Sequence, residues 1–125
     1  MPTDKLFLLF GCVLTGSGVA LGAFGAHGLR KSISAEMLSV YQTGVLYQLI
    51  HGVALLAVGL ALRHYSHQSI SFGGYLLVAG TILFSGSLYV LSVSSIRYVG
   101  IITPIGGLAY IVGWILLFVG ILRSG

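Results

Sequence analysis

Charge is what this sequence has least of. Only 6% of its residues are Asp, Glu, Lys or Arg, two acids against six cations, where a soluble domain carries about 25%. So few charges cannot cover a water-facing surface, which excludes an ordinary soluble fold. Cysteine occurs once, at Cys12, so neither an intramolecular disulfide nor a CxxC metal motif can form. No Asp or Glu falls inside an apolar stretch. Proton- and cation-coupled carriers ordinarily need such a carboxylate within the membrane. The net charge of +4 is scattered at the ends of apolar runs, where it can meet lipid headgroups. Nucleic-acid binding needs a basic stripe, and none is present, so no nucleic acid is expected as a partner. A G-x-S-x-G elbow is missing and no acid is placed to orient a histidine, which leaves nucleophilic catalysis without machinery. "GSGVALG" has the glycines of a phosphate loop but not its lysine. The chain reads as non-enzymatic, with no cofactor or bound metal.

Apolar residues make up 57% of the chain and fall into four runs, at about 6–26, 44–62, 70–91 and 99–122. Each has at least about 19 residues, or about 28 Å as a helix, close to the hydrocarbon thickness of a bilayer. In lipid the backbone must satisfy its own hydrogen bonds, so these runs should be helices. They make one four-span domain with both termini on the same side of the membrane. The first run follows Lys5 and has small residues near its end, as a signal peptide would. Its length and its Gly, Ser and Thr content favour a retained span. Lys5, Arg63 and Arg123 fall on the terminal side and Arg30, Lys31 and Arg97 on the other. The positive-inside count is therefore a tie and leaves the orientation open.

The connection "HGLRKSISAEMLSVYQT" is the longest and most polar. Ser34 can cap a helix whose first turn holds Glu36, and Met37, Leu38, Tyr41, Val45 and Leu46 recur at helical spacing. A short amphipathic helix is expected here, either lying at the interface or continuous with the second span. Gly28 is expected to end the first helix in a left-handed conformation. Thr103-Pro104 has two readings. Thr103 caps the fourth helix with Pro104 at its first position, or Pro104 with Gly106 and Gly107 kinks a helix that began earlier. Tyr41, Tyr65, Tyr75 and Tyr98 lie near run ends, as an aromatic belt would place them, and Trp114 sits deeper, in a packing role.

Nineteen glycines are a heavy load for helices, since each costs up to about 1 kcal/mol relative to Ala. Their spacing suggests a compensation. Gly11, Gly18 and Gly25 are seven apart, as are Gly52 and Gly59, Gly73, Gly80 and Ser87, and Gly106, Gly113 and Gly120. A seven-residue interval keeps one stripe facing a neighbour, and small residues on it let helices approach closely.

Among the polar residues of the runs, His27, Gln48, His51, Ser85 and Thr103 form the candidate cluster. Gln48 and His51 are three apart and share a helix face. His51 and His64 are thirteen apart, an interval that resembles the haem-ligating helices of b-type cytochromes. Two histidines without Cys or carboxylate partners nevertheless make a weak metal signal. The better-supported role is an interhelical hydrogen bond from Gln48 or His51 to Ser85, Ser87, Thr15 or a backbone carbonyl.

The segments "GAFGAHGL" (22–29), "YQLIH" (47–51), "FSGSLY" (84–89), "TPIGG" (103–107) and "GW" (113–114) occur in this order. Together they closely resemble the YgdD/YwdK family of small inner-membrane proteins, across nearly the whole chain. The resemblance implies a four-span protein of the plasma membrane and carries over no catalytic residues. It also implies that the marks around His27, His51, Ser85 and Pro104 belong to a shared pattern. The expected protein is an all-α integral membrane four-helix bundle with a short amphipathic helix between spans one and two. Its partners are the lipid bilayer and either another membrane protein or further copies of itself. The other reading is a pore or carrier for a small or neutral solute, lined by Gln48, His51, Ser85 and Thr103.

Overall fold

A computed structural model describes residues 1–124. Four long helices account for most of them: α1 (Thr3–His27), α2 (Ala35–Ala61), α3 (Gln68–Ser94) and α4 (Ile102–Arg123). There is no strand among the described residues. All four helices are long and apolar enough to cross a membrane. A 3₁₀ turn at Leu29–Lys31 leads out of α1, and another at Arg97–Ile101 leads into α4.

The segment after Ser34 is the start of α2 rather than a separate helix. The Ser34 hydroxyl accepts the Met37 N–H at 3.1 Å, with Glu36 in the first turn. From that cap α2 runs 27 residues without a break. The apolar face of its first turns is turned inward, where Tyr41 and Val45 bury themselves with Leu29.

Two local expectations at helix ends are corrected. Gly28 is not left-handed: φ is −99° and ψ −55°, and its N–H still reaches the Phe24 carbonyl at 2.8 Å. Continuing the right-handed path keeps Leu29 on the inner face with Tyr41 and Val45. Pro104 neither follows a Thr103 cap nor sits in mid-helix. Helix α4 is capped at Ile101, so Pro104 is its third residue. The first four N–H groups of a helix have no intrahelical partner, so a missing donor there costs little. The Thr103 hydroxyl is engaged elsewhere, 2.5 Å from that of Ser87.

The helices run antiparallel in sequence order. Asp4 of α1 pairs with Arg63 just past α2 at 3.1 Å, and Gly120 near the end of α4 lies on Ile70 at the start of α3. Backbones approach most closely between α1 and α2 and between α3 and α4, with α2 and α3 joining the two pairs. Among the described residues, α4 makes no close backbone approach to α1 or α2.

Glycines lie at both close seams. A Cβ on Gly11 would fall 2.8 Å from the Gly52 carbonyl oxygen, and one on Gly59 would fall 2.8 Å from that of Asp4. Across the other seam, a Cβ on Gly73 would fall 2.8 Å from the Gly113 carbonyl, and one on Gly106 would meet the Phe84 backbone. Such positions accept no side chain without moving a helix. At Gly16 and Gly86, by contrast, an added methyl would meet nothing within 4 Å. Gly106→Ala should therefore destabilise the protein by about 1–3 kcal/mol, the usual cost of overpacking. Gly86→Ala should be neutral or should stabilise it by up to about 1 kcal/mol through helix propensity. Thermal unfolding in detergent, followed by circular dichroism, compares the two.

Candidate functional site

In hydrocarbon a polar side chain has no water to turn to, so it must find a partner inside the protein. Helix α2 carries two such residues on its inner face. Gln48 and His51 are 5% and 4% exposed. The Gln48 amide uses both of its ends. Its Nε2 donates to the Leu14 carbonyl at 3.0 Å and to the Ser17 hydroxyl at 2.9 Å, while its Oε1 accepts the Tyr89 hydroxyl at 2.6 Å. One side chain on α2 thereby holds α1 and α3.

His51 is committed in the same way, toward α4. Its Nδ1 lies 2.8 Å from the Tyr47 carbonyl, which can only accept, so Nδ1 carries the proton. That leaves Nε2 as an acceptor, and it takes the Trp114 indole N–H at 3.1 Å. The imidazole stacks on Tyr110 with centroids 3.7 Å apart and planes 9° from parallel. Tyr110 in turn donates to the Thr81 hydroxyl at 3.0 Å. A metal or haem iron at Nε2 would have to displace the Trp114 bond, and His64 lies exposed in the turn beyond α2. Among the described residues no group of three His, Cys, Asp or Glu could hold a metal ion.

The other candidates are placed separately. Ser85, buried on α3, donates to the Gly44 carbonyl at 2.7 Å and so closes the α2/α3 seam. Thr103 pairs with Ser87 across the α3/α4 seam. His27 stands exposed at the end of α1 and joins none of these groups. Gln48, His51 and Ser85 thus each meet partners within the protein.

The bond partners were harder to anticipate than the buried residues. Gln48 meets the expected backbone carbonyl, that of Leu14, but neither it nor His51 reaches Ser85, Ser87 or Thr15. Their partners across the helices are Tyr89 and Trp114, together with Ser17 and the Leu14 carbonyl. A signal for Tyr89 and Tyr110 did exist, because a phenol inside an apolar run rather than at its end needs a partner for its hydroxyl. Tyr41 is another correction. It is 3% exposed rather than part of a belt, and its hydroxyl donates to the Leu21 carbonyl at 2.6 Å. Tyr65, Tyr75 and Tyr98 are exposed near helix ends.

Because α2 and α4 are joined by side chains alone, a lateral opening of about 310 Å³ remains between them. Tyr47, His51, Phe84, Tyr110 and Trp114 form its walls, and Gly107 leaves one side bare. Its aromatic rings are in mutual contact: Tyr47 and Phe84 have centroids 4.6 Å apart.

Four apolar helices tied together by internal hydrogen bonds define a small multi-pass membrane protein. The chain belongs to the DUF423 family, "protein of unknown function", whose model matches residues 21–107. It is 43% identical over 120 residues to the UPF0382 membrane protein YwdK of Bacillus subtilis, covering 95% of this chain and 98% of that one. It is 39% identical over 121 residues to the UPF0382 inner membrane protein YgdD of Escherichia coli, covering 97% and 92%. A UPF0382 membrane protein of Staphylococcus saprophyticus is 44% identical over 116 residues, covering 93% and 96%. No solved structure matches the chain.

Removing these side chains should be felt in stability. Gln48→Ala leaves the Tyr89 hydroxyl without its acceptor and should cost about 1–3 kcal/mol. Trp114→Phe keeps an aromatic ring but loses the indole N–H, and the hydrogen bond it removes should account for only about 0.6 kcal/mol. Urea or thermal unfolding in detergent measures both. The chain has one tryptophan, so a shift in its emission on His51→Phe reports the loss of the indole bond directly.

Proposed function

We propose that the protein is non-enzymatic and acts through helix contacts within the cell membrane, as an accessory subunit or a homo-oligomer, with both termini on one side. One observation carries this reading: the buried amide and imidazole of α2 are both spent on partners within the protein. Gln48 uses both ends of its amide, and His51 uses both ring nitrogens. Neither side chain keeps an uncommitted amide end or ring nitrogen with which to work on a substrate. What the protein offers outward from its membrane-spanning core is largely apolar surface, and the aromatic opening between α2 and α4 is a recess in it. A side chain from another transmembrane helix, packing beside Gly107, would fill it by the close approach that small residues permit.

The test is mild-detergent purification from native membranes, with mass spectrometry for partners and light scattering for self-association. A fixed stoichiometric partner or a defined oligomer is the expected result. A Cβ on Gly107 would have only the Phe84 ring nearby, at 3.9 Å. Gly107→Phe should therefore fill the opening, release the partner or second copy, and leave the unfolding temperature within a few degrees of wild type. A monomer that retains no protein, or an assembly indifferent to Gly107→Phe, contradicts the proposal.

A further inference from the structure

A second cleft, larger than the aromatic one, lies at one end of the fold, whereas the aromatic opening lies near mid-helix. It has a volume of about 490 Å³ and sits where α2 begins and α3 ends. Its rim holds Ser34, Glu36, Ser95 and Arg97, while Met37, next to Glu36, and Val40 and Leu91, about one turn further into the helices, form an apolar wall. The lining thus passes from charged to apolar along the direction from the headgroups to the bilayer centre.

The charges at the rim are unusual for this chain. Its other acid, Asp4, is paired with Arg63 at the far end of the molecule, the one ion pair among the described residues. Glu36 and Arg97 line the same cleft yet do not pair with each other. Ser95 ends α3 in a left-handed conformation, with φ 58°, and Arg97 follows two residues later.

We propose that this cleft binds one phospholipid with a primary-ammonium headgroup. Its phosphate is held by the Arg97 guanidinium, which suits tetrahedral oxyanions through paired N–H donors. Its ammonium donates to the Glu36 carboxylate, and the glycerol end of the acyl chains lies on Met37, Val40 and Leu91. Each rim charge then has a counter-charge supplied by the ligand, and the apolar wall has a matching stem. An anionic headgroup without an amine satisfies Arg97 but brings a phosphate toward Glu36 with nothing to neutralise it. A choline headgroup carries the right charge but has no N–H to donate. The interfacial position fits a ligand taken from the bilayer leaflet rather than from water. This inference stands apart from the partner-binding role above.

The experiment is native mass spectrometry of the purified full chain. The protein is exchanged into nanodiscs of phosphatidylcholine containing equal small fractions of phosphatidylethanolamine and phosphatidylglycerol. One phosphatidylethanolamine per chain should survive release, preferred about fivefold over either other lipid, the selectivity a partly exposed ion pair can supply. Glu36→Gln should abolish the preference for ethanolamine over choline. Arg97→Gln should lose the retained lipid altogether. Val40→Trp, which fills the apolar wall and keeps both charges, should also lose it. Equal retention of the three lipids, a preference for phosphatidylglycerol, or undiminished selectivity in Glu36→Gln overturns the proposal. Free phosphate or ethanolamine competing the lipid away at millimolar concentration would also overturn it, by moving the source from the bilayer to solution. The wild-type measurement stands alone if a variant fails to fold.

Discussion

One carboxamide joins three of the four helices. Gln48 on α2 takes hold of α1 through Leu14 and Ser17 and of α3 through Tyr89. The fourth helix is reached three residues later, where His51 accepts the Trp114 indole. This second tie matters because α2 and α4 have no close backbone approach. In water such bonds would compete with solvent. In hydrocarbon the competitor is another protein group, so each bond contributes little net energy but fixes which helix faces which. Their part in the fold is to select one arrangement among several that apolar packing alone would accept.

Close packing supplies what the hydrogen bonds do not. Dispersion is individually small and depends on interatomic distance, so bare backbone on facing helices lets many atoms reach contact at once. The glycine positions at the α1/α2 and α3/α4 seams bring carbonyl oxygens within reach of the facing glycines. The α2/α3 seam is of another kind. There Gly44 lies beneath Leu88 and Tyr89, and its carbonyl accepts the Ser85 hydroxyl. The molecule is thus two glycine-packed pairs joined by a seam in which polar bonds and aromatic rings take a larger part. Tyr41 and Tyr89 meet across that seam with centroids 5.2 Å apart.

The spans were legible in the sequence because hydrocarbon leaves the backbone few choices. Runs of about 20 apolar residues become helices, and the expected boundaries differ from the observed ones mainly where polar caps extend a helix past the apolar stretch. Ser34 was legible for the same local reason, since a capping hydroxyl and an acid in the first turn act within a few residues. Burial of Gln48, His51 and Ser85 could also be anticipated, because polar side chains within a span turn inward. Their partners could not. Pairing Gln48 with Tyr89, or His51 with Trp114, depends on the azimuth and height of each helix relative to its neighbours. Sequence periodicity gives the face of a helix but not which helix it meets. Gly28 fails for a related reason: its local preference for a left-handed cap yields to the burial of Leu29, a tertiary demand.

Two openings in the fold differ in how their polar atoms are distributed. Between α2 and α4 the imidazole accepts the indole N–H and stacks on the Tyr110 phenol, so the walls of the opening are mainly aromatic rings. At the α2/α3 end the opposite holds. Glu36 and Arg97 line one cleft without pairing, in a chain with so few charges. An exposed ion pair repays little of the entropy needed to order it. Separated charges at a headgroup boundary, by contrast, each have zwitterions at hand. On the proposed lipid-binding reading the membrane completes the electrostatics at this end, while at the other end Asp4 and Arg63 answer each other directly.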